Sequence, residues 1–198
     1  MKTILTFPPA PPAPCLPDFS GRPKRFTLDQ TVNVKGHGKL SIRPIRLDDE
    51  QEMIRFHERI SEESIYMRYF EYLGLNRRTS HERLVRICSN TPESYAMIVE
   101  RPATPHHPPA ILAVGRLTKT SKSSAATFDT LMTDEEKAPQ LGKVLLNRLI
   151  KLAHAFGFQE LTGELLVADH DTLNLCRSLG FSLQTVAEDG LVRVTLGL

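Results

Sequence analysis

Two titratable residues near the C-terminus, Glu164 and His170, are the first candidates for chemistry. Glu164 lies within a nearly continuous apolar run, residues 161–167, and His170 follows that run where a helix is expected to begin. A carboxylate can act as a general base, and an imidazole, whose ordinary pKa is near neutrality, can pass on a proton. Each residue also has a structural interpretation, Glu164 as an outward-facing strand carboxylate and His170 as a helix-start residue without a catalytic role.

The other ligand-type side chains do not have the spacing of a metal site. His106 and His107 are adjacent in a proline-rich stretch, and no third or fourth ligand is suitably spaced nearby. The three cysteines, Cys15, Cys88 and Cys176, form no C-x-x-C pair and are odd in number. We therefore expect no metal and no disulfide framework, and a reducing, cytoplasmic location.

Composition excludes several classes of protein. The 198 residues are 40% hydrophobic and 24% charged, which suits one domain with a sizeable core. The 25 basic and 23 acidic residues are mixed along the chain and give a net charge of +2, so nucleic acid is not an expected partner. No run approaches the roughly 18 apolar residues of a membrane span, so no membrane partner is expected either.

The chain divides into a leading segment and one domain. Six prolines lie between residues 8 and 17, where they fix φ and remove amide donors. Residues 1–38 are therefore predicted to be a flexible, proline-rich segment that either stays solvated or docks on a partner. Residues 39–198 are predicted to form the folded domain.

Periodicity within residues 39–198 predicts a strand, three helices, three strands, then helix, strand, helix and two strands. The clearest unit is a strand over residues 125–132 followed by a polar turn and a long helix over residues 142–156, which Gly157 ends. A second helix after the 161–167 strand is capped by an aspartate and ended by Gly180. This order describes an α/β (α+β) fold, a mixed sheet with helices on both faces.

From about residue 39 to residue 198 the sequence resembles the GNAT superfamily of acyl-CoA N-acyltransferases. The resemblance is carried, in order, by Ile-Arg-Pro-Ile-Arg at 42–46, Asp-Asp-Glu at 48–50, the strand-turn-helix at 128–146, Leu-Thr-Gly-Glu-Leu at 161–165 and Leu-Gly-Phe at 179–181. Residues 43–46 and 61–70 look most like bacterial protein-lysine acetyltransferase modules, which occur alone or fused to acyl-CoA synthetases. The resemblance implies a mostly antiparallel central sheet of six to seven strands.

The resemblance also implies a site for acetyl-CoA as cosubstrate. The phosphate loop of the family is Gln or Arg, two residues, Gly, one residue, then Gly or Ala, and it matches residues 137–142, where only Gly142 is kept. Gln140 stands where a glycine would allow positive φ and close approach, and Pro139 removes an amide. The implied cofactor-binding residues are Leu131, Met132, Thr133, Lys137, Gln140, Leu141, Gly142 and Lys143, the two lysines being either phosphate ligands or solvated surface residues.

Three positions depart from the chemistry of the family. The glutamate that often lies on the strand before the loop corresponds to Thr127, the asparagine after the next strand to His170, and the tyrosine that protonates the thiolate to Cys176 or to nothing. Glu164 is then the candidate base or relay, and His170 is the candidate to contact pantetheine or pass on a proton. The side to which Asp129 points is not fixed by the sequence.

The sequence thus supports two functional hypotheses. The first is an N-acyltransferase that moves an acetyl group from acetyl-CoA to a primary amine, for which a protein lysine is the expected acceptor and a homodimer a candidate assembly. The alternative is a catalytically impaired GNAT-fold protein that acts as an acyl-CoA sensor or a protein-interaction module. Binding of acyl-CoA without turnover would favour the sensor.

Overall fold

The computed structural model describes residues 17–20, 23, 26–105, 108–121, 124–136, 139–186 and 190–198. These ranges contain one eight-stranded sheet and six α-helices. The strands are β1 (Gln30–Val34), β2 (Gly38–Pro44), β3 (Ser94–Arg101), β4 (Ala110–Lys119), β5 (Ala125–Met132), β6 (Glu160–Leu166), β7 (Ser182–Val186) and β8 (Leu191–Gly197). The helices are α1 (Glu50–Glu58), α2 (Glu62–Tyr69), α3 (Leu75–Arg78), α4 (His81–Ile87), α5 (Pro139–Phe156) and α6 (His170–Ser178).

The sheet is mostly antiparallel, with strand order β1-β2-β3-β4-β5-β6-β8-β7. β5 and β6 are parallel, because α5 connects them as a crossover, and the other neighbouring strands are antiparallel. The predicted fold class is therefore confirmed, including helices on both faces. The sheet has eight strands where six to seven were expected.

The helices pack on opposite faces of the sheet and create two separate cores. The larger core lies beneath α5 and α6, where Leu145 and Leu149 pack over Gly115 of β4. The smaller core lies beneath α1, α2 and α4 and includes Phe56 and Ile65. Both cores include residues of β5, Phe128 in the larger core and Leu131 in the smaller one.

The additional strand, β1, lies inside the segment expected to be a flexible leader. It pairs with β2 from Gln30↔Ile42 to Val34↔Gly38. Farther toward the N-terminus, the buried Phe19 places its ring 5.0 Å from the rings of Phe156 and Phe158. The expected boundary at residue 39 therefore falls within a β-hairpin. The proline-rich residues 8–16 lie outside the described residues.

Within the described part of the chain, no helix is both long and apolar enough to cross a membrane. The same residues contain no group of three or more His, Cys, Asp or Glu side chains arranged to hold a metal ion. His106 and His107 lie outside the described residues.

Candidate functional site

The main cleft opens where β5 and β6 separate. Their parallel pairing ends at Thr127↔Thr162, although β5 continues to Met132 and β6 to Leu166. The ring of Phe128 lies directly after the last pair and packs over Gly163, where an added Cβ would be 2.7 Å from Phe128 Cε1. Beyond this point the strands border a cleft of about 1470 Å³. The contact of the Phe128 ring with Gly163 therefore lies at the vertex where the two strands separate.

Among the described residues, the edge of β5 that faces the splay has no strand paired with it beyond Thr127. The N–H of Thr133 donates to the carbonyl of Leu112 on β4 at 3.1 Å. Because neighbouring residues of a strand direct their backbone groups to opposite sides, those of Leu131 also face β4, whereas those of Thr130 and Met132 face the cleft. Past the last β5–β6 pair, these amides and carbonyls are free to pair with an extended ligand.

Helix α5 begins at one end of this open edge. Its first residue is Pro139, a position where the missing N–H removes no helical hydrogen bond. The first-turn amides of Gln140 and Leu141 have no partner within the helix, and they lie at the positive end of its dipole. The arrangement is suited to a phosphate or another anion.

Gly142 is the residue of this turn where a larger side chain would be tightly packed. A Cβ on it would lie 3.3 Å from Leu175 Cδ2 of α6 and 3.5 Å from Met132 Cε. Gln140 lies in the helix with ordinary backbone geometry, because Phe70 is the non-glycine residue with positive φ among those described. At this position, which the resemblance assigns to a glycine that would allow positive φ, the backbone of this chain is helical.

The structure brings most of the predicted site residues to the cleft. Leu131, Met132, Gln140, Gly142, Lys143, Glu164 and His170 all line it. Leu141 instead enters the larger core, and Thr133 is fully buried with its N–H bonded to β4. Lys137 lies outside the described residues. Some of the candidate cofactor residues thus line the cleft, whereas Leu141 and Thr133 are buried behind its wall.

No protein-family model matches this sequence. Among solved structures, the GNAT domain of S. lividans PAT matches with a TM-score of 0.74 and 21% identity, over 86% of this chain and 97% of that domain. The spermidine N-acetyltransferase of Vibrio cholerae, solved with CoA and spermine, matches with a TM-score of 0.61 and 15% identity, over 80% of this chain and 95% of that one. A putative acetyltransferase of Salmonella typhimurium, solved with acetyl-CoA, matches with a TM-score of 0.57 and 13% identity, over 80% of this chain and 94% of that one.

The chain has the GNAT fold. At these identities the likeness establishes the fold alone, so the chemistry must be argued from the cleft itself.

Glu164 lies in the cleft but is engaged by a cation. Its Oε1 accepts a hydrogen bond of 2.8 Å from Arg193 Nη2 on β8, the residue opposite it in the sheet register. The Glu164 side chain is 46% exposed. An ion pair this exposed is weak, so Glu164 can exchange Arg193 for another partner at little cost.

His170 is exposed at the first position of α6. The helix is capped by Asp169, whose carboxylate accepts the N–H of Thr172 at 3.1 Å. The cap fixes where α6 begins and therefore where His170 meets the cleft. The imidazole is accessible to a ligand or to solvent protons, as both interpretations of the sequence required.

Cys176 does not reach the cleft. It is completely buried in the larger core, and burial raises the pKa of its thiol to about 12. A thiol in this position cannot protonate a thiolate in the cleft. The cleft-facing residues of α6 are instead His170, Asp171, Thr172, Asn174, Leu175 and Ser178.

A carboxylate that sequence reasoning left unassigned, Asp129, also lines the cleft. It lies two residues after Thr127 on β5, so both side chains point to the same face of the sheet. Arg68 of α2 forms an ion pair with Asp129, and Arg116 of β4 is opposite it in the register. The strand alternation could have indicated that Asp129 and Thr127 share a face, but no pattern in the sequence connects Asp129 to α2.

The charged residues of the described cleft wall are mostly acidic. Six carboxylates line the cleft: Glu63, Asp129, Glu160, Glu164, Asp169 and Asp171. The basic side chains that line it are Arg68, Lys143 and Arg193. Lys143 lies at the start of α5, where the anion cradle is. The cleft therefore combines a local anion site with walls that attract cations.

Proposed function

We propose that the protein is an N-acyltransferase that binds acetyl-CoA in the splay between β5 and β6 and transfers the acetyl group to a primary amine. The observation that carries this proposal is the continuity of the open β5 edge with the N-terminus of α5. An extended pantetheine arm contains amides that can pair with a strand edge, and a pyrophosphate suits free helix amides. Lys143 would add a charge-assisted contact to the phosphates.

The excess of carboxylates in the cleft supports a cationic acceptor. A primary amine is protonated at neutral pH, so acidic walls raise its local concentration. We propose a protein lysine as the acceptor, in keeping with the resemblance at residues 43–46 and 61–70 and with the likeness to a PAT GNAT domain. A polyamine is the competing acceptor, because one neighbour is a spermidine N-acetyltransferase. A homodimer and a cytoplasmic location remain predictions.

The amine must lose a proton before it attacks the thioester, and two cleft carboxylates compete for this role. Glu164 is the residue expected from the sequence, and its exposed pair with Arg193 leaves it accessible. Asp129 lies on the same strand face as Thr127, the position that corresponds to the family glutamate. We assign the role of base to Glu164 and keep Asp129 as the rival, since Arg68 holds its carboxylate.

The leaving thiolate then needs a proton, and His170 is the proposed source. It lines the cleft at the start of α6 and is exposed to solvent, so it can recover a proton after each turnover. The bond formed is the amide between the acceptor nitrogen and the acetyl carbon, and the bond broken is the thioester C–S bond. The protonated amine loses one proton before it attacks and a second as the amide forms; one proton is delivered to sulfur and the other is released to solvent.

One observation favours the alternative of an acyl-CoA sensor without turnover. The two carboxylates suited to act as a base are both paired with arginines, Glu164 with Arg193 and Asp129 with Arg68. Such pairing would leave acetyl-CoA binding intact while depriving the amine of a free base. Binding and turnover must therefore be measured separately.

Calorimetric titration with acetyl-CoA tests the binding step. The wild-type protein is compared with Thr130→Pro, which removes an N–H that faces the cleft without removing one that bonds to β4, and with Thr130→Ala as the matched control. Loss of one neutral hydrogen bond corresponds to about 0.5–1.5 kcal/mol, or roughly 2- to 12-fold in affinity. Equal affinities for the proline and alanine variants would place the ligand elsewhere than on the β5 edge.

A thiol-release assay with a lysine peptide tests the base. Glu164→Gln should lower kcat by about 100-fold or more, because general-base catalysis typically contributes 10²–10⁴-fold. Asp129→Asn tests the rival, and Glu160→Gln, another cleft carboxylate, is the control. A loss confined to Asp129→Asn would reassign the base. Micromolar binding by the wild type with no turnover on peptides or polyamines would favour the sensor.

A further inference from the structure

A second, smaller cavity lies between helices α1, α2 and α4 and the sheet. Its volume is about 130 Å³. Its polar lining is formed by His57, Arg68, Tyr69, Arg116 and Asp129, and apolar side chains complete the wall. Arg68, Asp129 and Leu131 border both this cavity and the main cleft. We call it the inner cavity.

His57 is the residue of the inner cavity that most needs a partner. Its side chain belongs to a residue that is 1% exposed, and neither Nδ1 nor Nε2 has a hydrogen-bond partner among the described residues. Nearly all buried polar side-chain atoms in proteins are hydrogen-bonded, either to protein or to a bound species. A species that can hydrogen-bond to imidazole is therefore expected in the inner cavity.

The charge around the inner cavity distinguishes an anion from water alone. Two guanidinium groups line it, those of Arg68 and Arg116, against one carboxylate among the described lining residues, Asp129. Arg116 also donates to Ser94 Oγ at 2.7 Å and to the carbonyl of Ile87, both of them neutral partners. Arg83 lies over the ring of Tyr69, with its Cζ 5.2 Å from the ring centroid, and adds another positive charge.

The neighbouring helix segment adds a further positive charge, that of Arg78, which the carboxylates of Glu62 and Asp134 offset in part. Arg78 is buried and donates to the carbonyls of His57 and Ile60 at 3.3 and 3.2 Å. In a poorly solvated region, unbalanced positive charge is costly unless an anion accompanies it. Water would satisfy the His57 nitrogens but would leave the charge of Arg116 only partly balanced, because Asp129, the carboxylate opposite it in the sheet register, is paired with Arg68.

We propose that the inner cavity binds a small inorganic anion, of which chloride is the physiological representative, between His57, Arg68 and Arg116. A volume of about 130 Å³ holds about four water molecules at roughly 30 Å³ each, so one halide with a few waters fits. The anion joins α1, α2 and β4 beside Asp129. This inference does not depend on acyl transfer, and its tests do not measure activity.

Bromide is the direct probe. Crystals of the wild-type protein grown in sodium bromide should show an anomalous difference peak in the inner cavity within hydrogen-bonding distance of His57 and a guanidinium group. A cavity that contains only water at high resolution in bromide-grown crystals would overturn the proposal. Because this experiment uses the unaltered protein, it decides the question even if variants do not fold.

Thermal unfolding provides the solution test. A ligand present at ten times its Kd stabilises the native state by RT ln 11, which for a protein of this size raises Tm by about 3–5 °C. Replacing gluconate with chloride at constant ionic strength should therefore raise the Tm of the wild type. Arg116→Met should abolish that rise, and the exposed Arg86→Met should keep it. An equal rise in the wild type and Arg116→Met, or no rise in the wild type, would contradict the proposal.

Discussion

Two glycines of the sheet are equally close to the side chains that cover them, but only one of them lies at the cleft. A Cβ on Gly163 would be 2.7 Å from Phe128 Cε1, and a Cβ on Gly115 would be 2.7 Å from Leu149 Cδ1. Neither glycine has a positive φ, so alanine fits the backbone at both sites. Gly163→Ala and Gly115→Ala are therefore a matched pair that differs mainly in location.

Both substitutions should destabilise the protein by similar amounts. Overpacking a core costs about 1–3 kcal/mol, and the lower entropy of the unfolded chain with alanine returns about 0.4–1 kcal/mol. The net loss of about 0.5–2 kcal/mol should lower Tm by roughly 1–8 °C, since 1 kcal/mol corresponds to about 2–4 °C for a protein of this size. Differential scanning calorimetry measures both values. An unchanged Tm for Gly163→Ala would refute the tight contact with Phe128.

Their effects on ligand binding should differ. In Gly163→Ala the ring of Phe128 must move, and that ring lies at the vertex where β5 and β6 separate. A change of about 1 kcal/mol in the free energy of binding corresponds to roughly 5-fold weaker acetyl-CoA binding. Gly115 lies beneath α5 within the core, so Gly115→Ala should bind within about 2-fold of the wild type. Equal losses of affinity would mean that the vertex does not shape the site.

Two further predictions concern the buried polar residues of the smaller layer. Burial and the charges of Arg78 and Arg83 lower the pKa of His57 from 6.5 to about 4, so the unfolded chain binds more protons between these values. In chloride-free buffer, the free energy of unfolding should therefore decrease by roughly 3 kcal/mol as pH falls from 6.5 to 4. In His57→Gln the decrease should be smaller by that amount. If urea denaturation gave the same dependence on pH for both proteins, the prediction would be wrong. Asp49 accepts hydrogen bonds of 2.8 and 2.6 Å from Arg43 and 2.7 Å from the Arg46 N–H. Asp49→Ala should lower the free energy of unfolding by about 2–3 kcal/mol. The loss is not larger because Glu100 remains to pair with Arg43. A loss below about 1 kcal/mol would show that the pair of Asp49 with Arg43 contributes little to stability.

The strand-turn-helix unit of the site could be predicted from the sequence because its signals are local. β5 and α5 have strong apolar periodicity, and α5 ends at Gly157 with φ of 91°, the geometry that favours glycine. β1 was missed because its polar residues face solvent at the edge of the sheet, with Val34 its one buried residue. The segment before β1 is held by contacts with a residue far along the sequence. Arg148 of α5 donates to the carbonyl of Leu28 at 3.0 Å and lies over the ring of Phe26.

The phosphate end of the site shows what a motif comparison leaves open. The sequence places Gln140 where the family pattern has a glycine that would allow positive φ, and Pro139 before it removes an amide. In the structure both residues already belong to α5, where proline is well suited to the first position and Gln140 needs no unusual φ. The anion cradle depends on where the helix begins, and a residue pattern alone does not fix that position.

The carboxylate chemistry of the cleft is the part that the sequence could not supply, because it depends on which element packs against β5. Moving a carboxylate from position 127 to position 129 keeps it on the same strand face but shifts it by about 6.6 Å along the strand. At that position it meets Arg68, which α2 holds in place and which also borders the inner cavity. For either of the two candidate bases to be free, Arg68 must release Asp129 or Arg193 must release Glu164. Since the Arg193 pair is the more exposed, the arrangement of charges favours Glu164 as the residue that an incoming amine can engage.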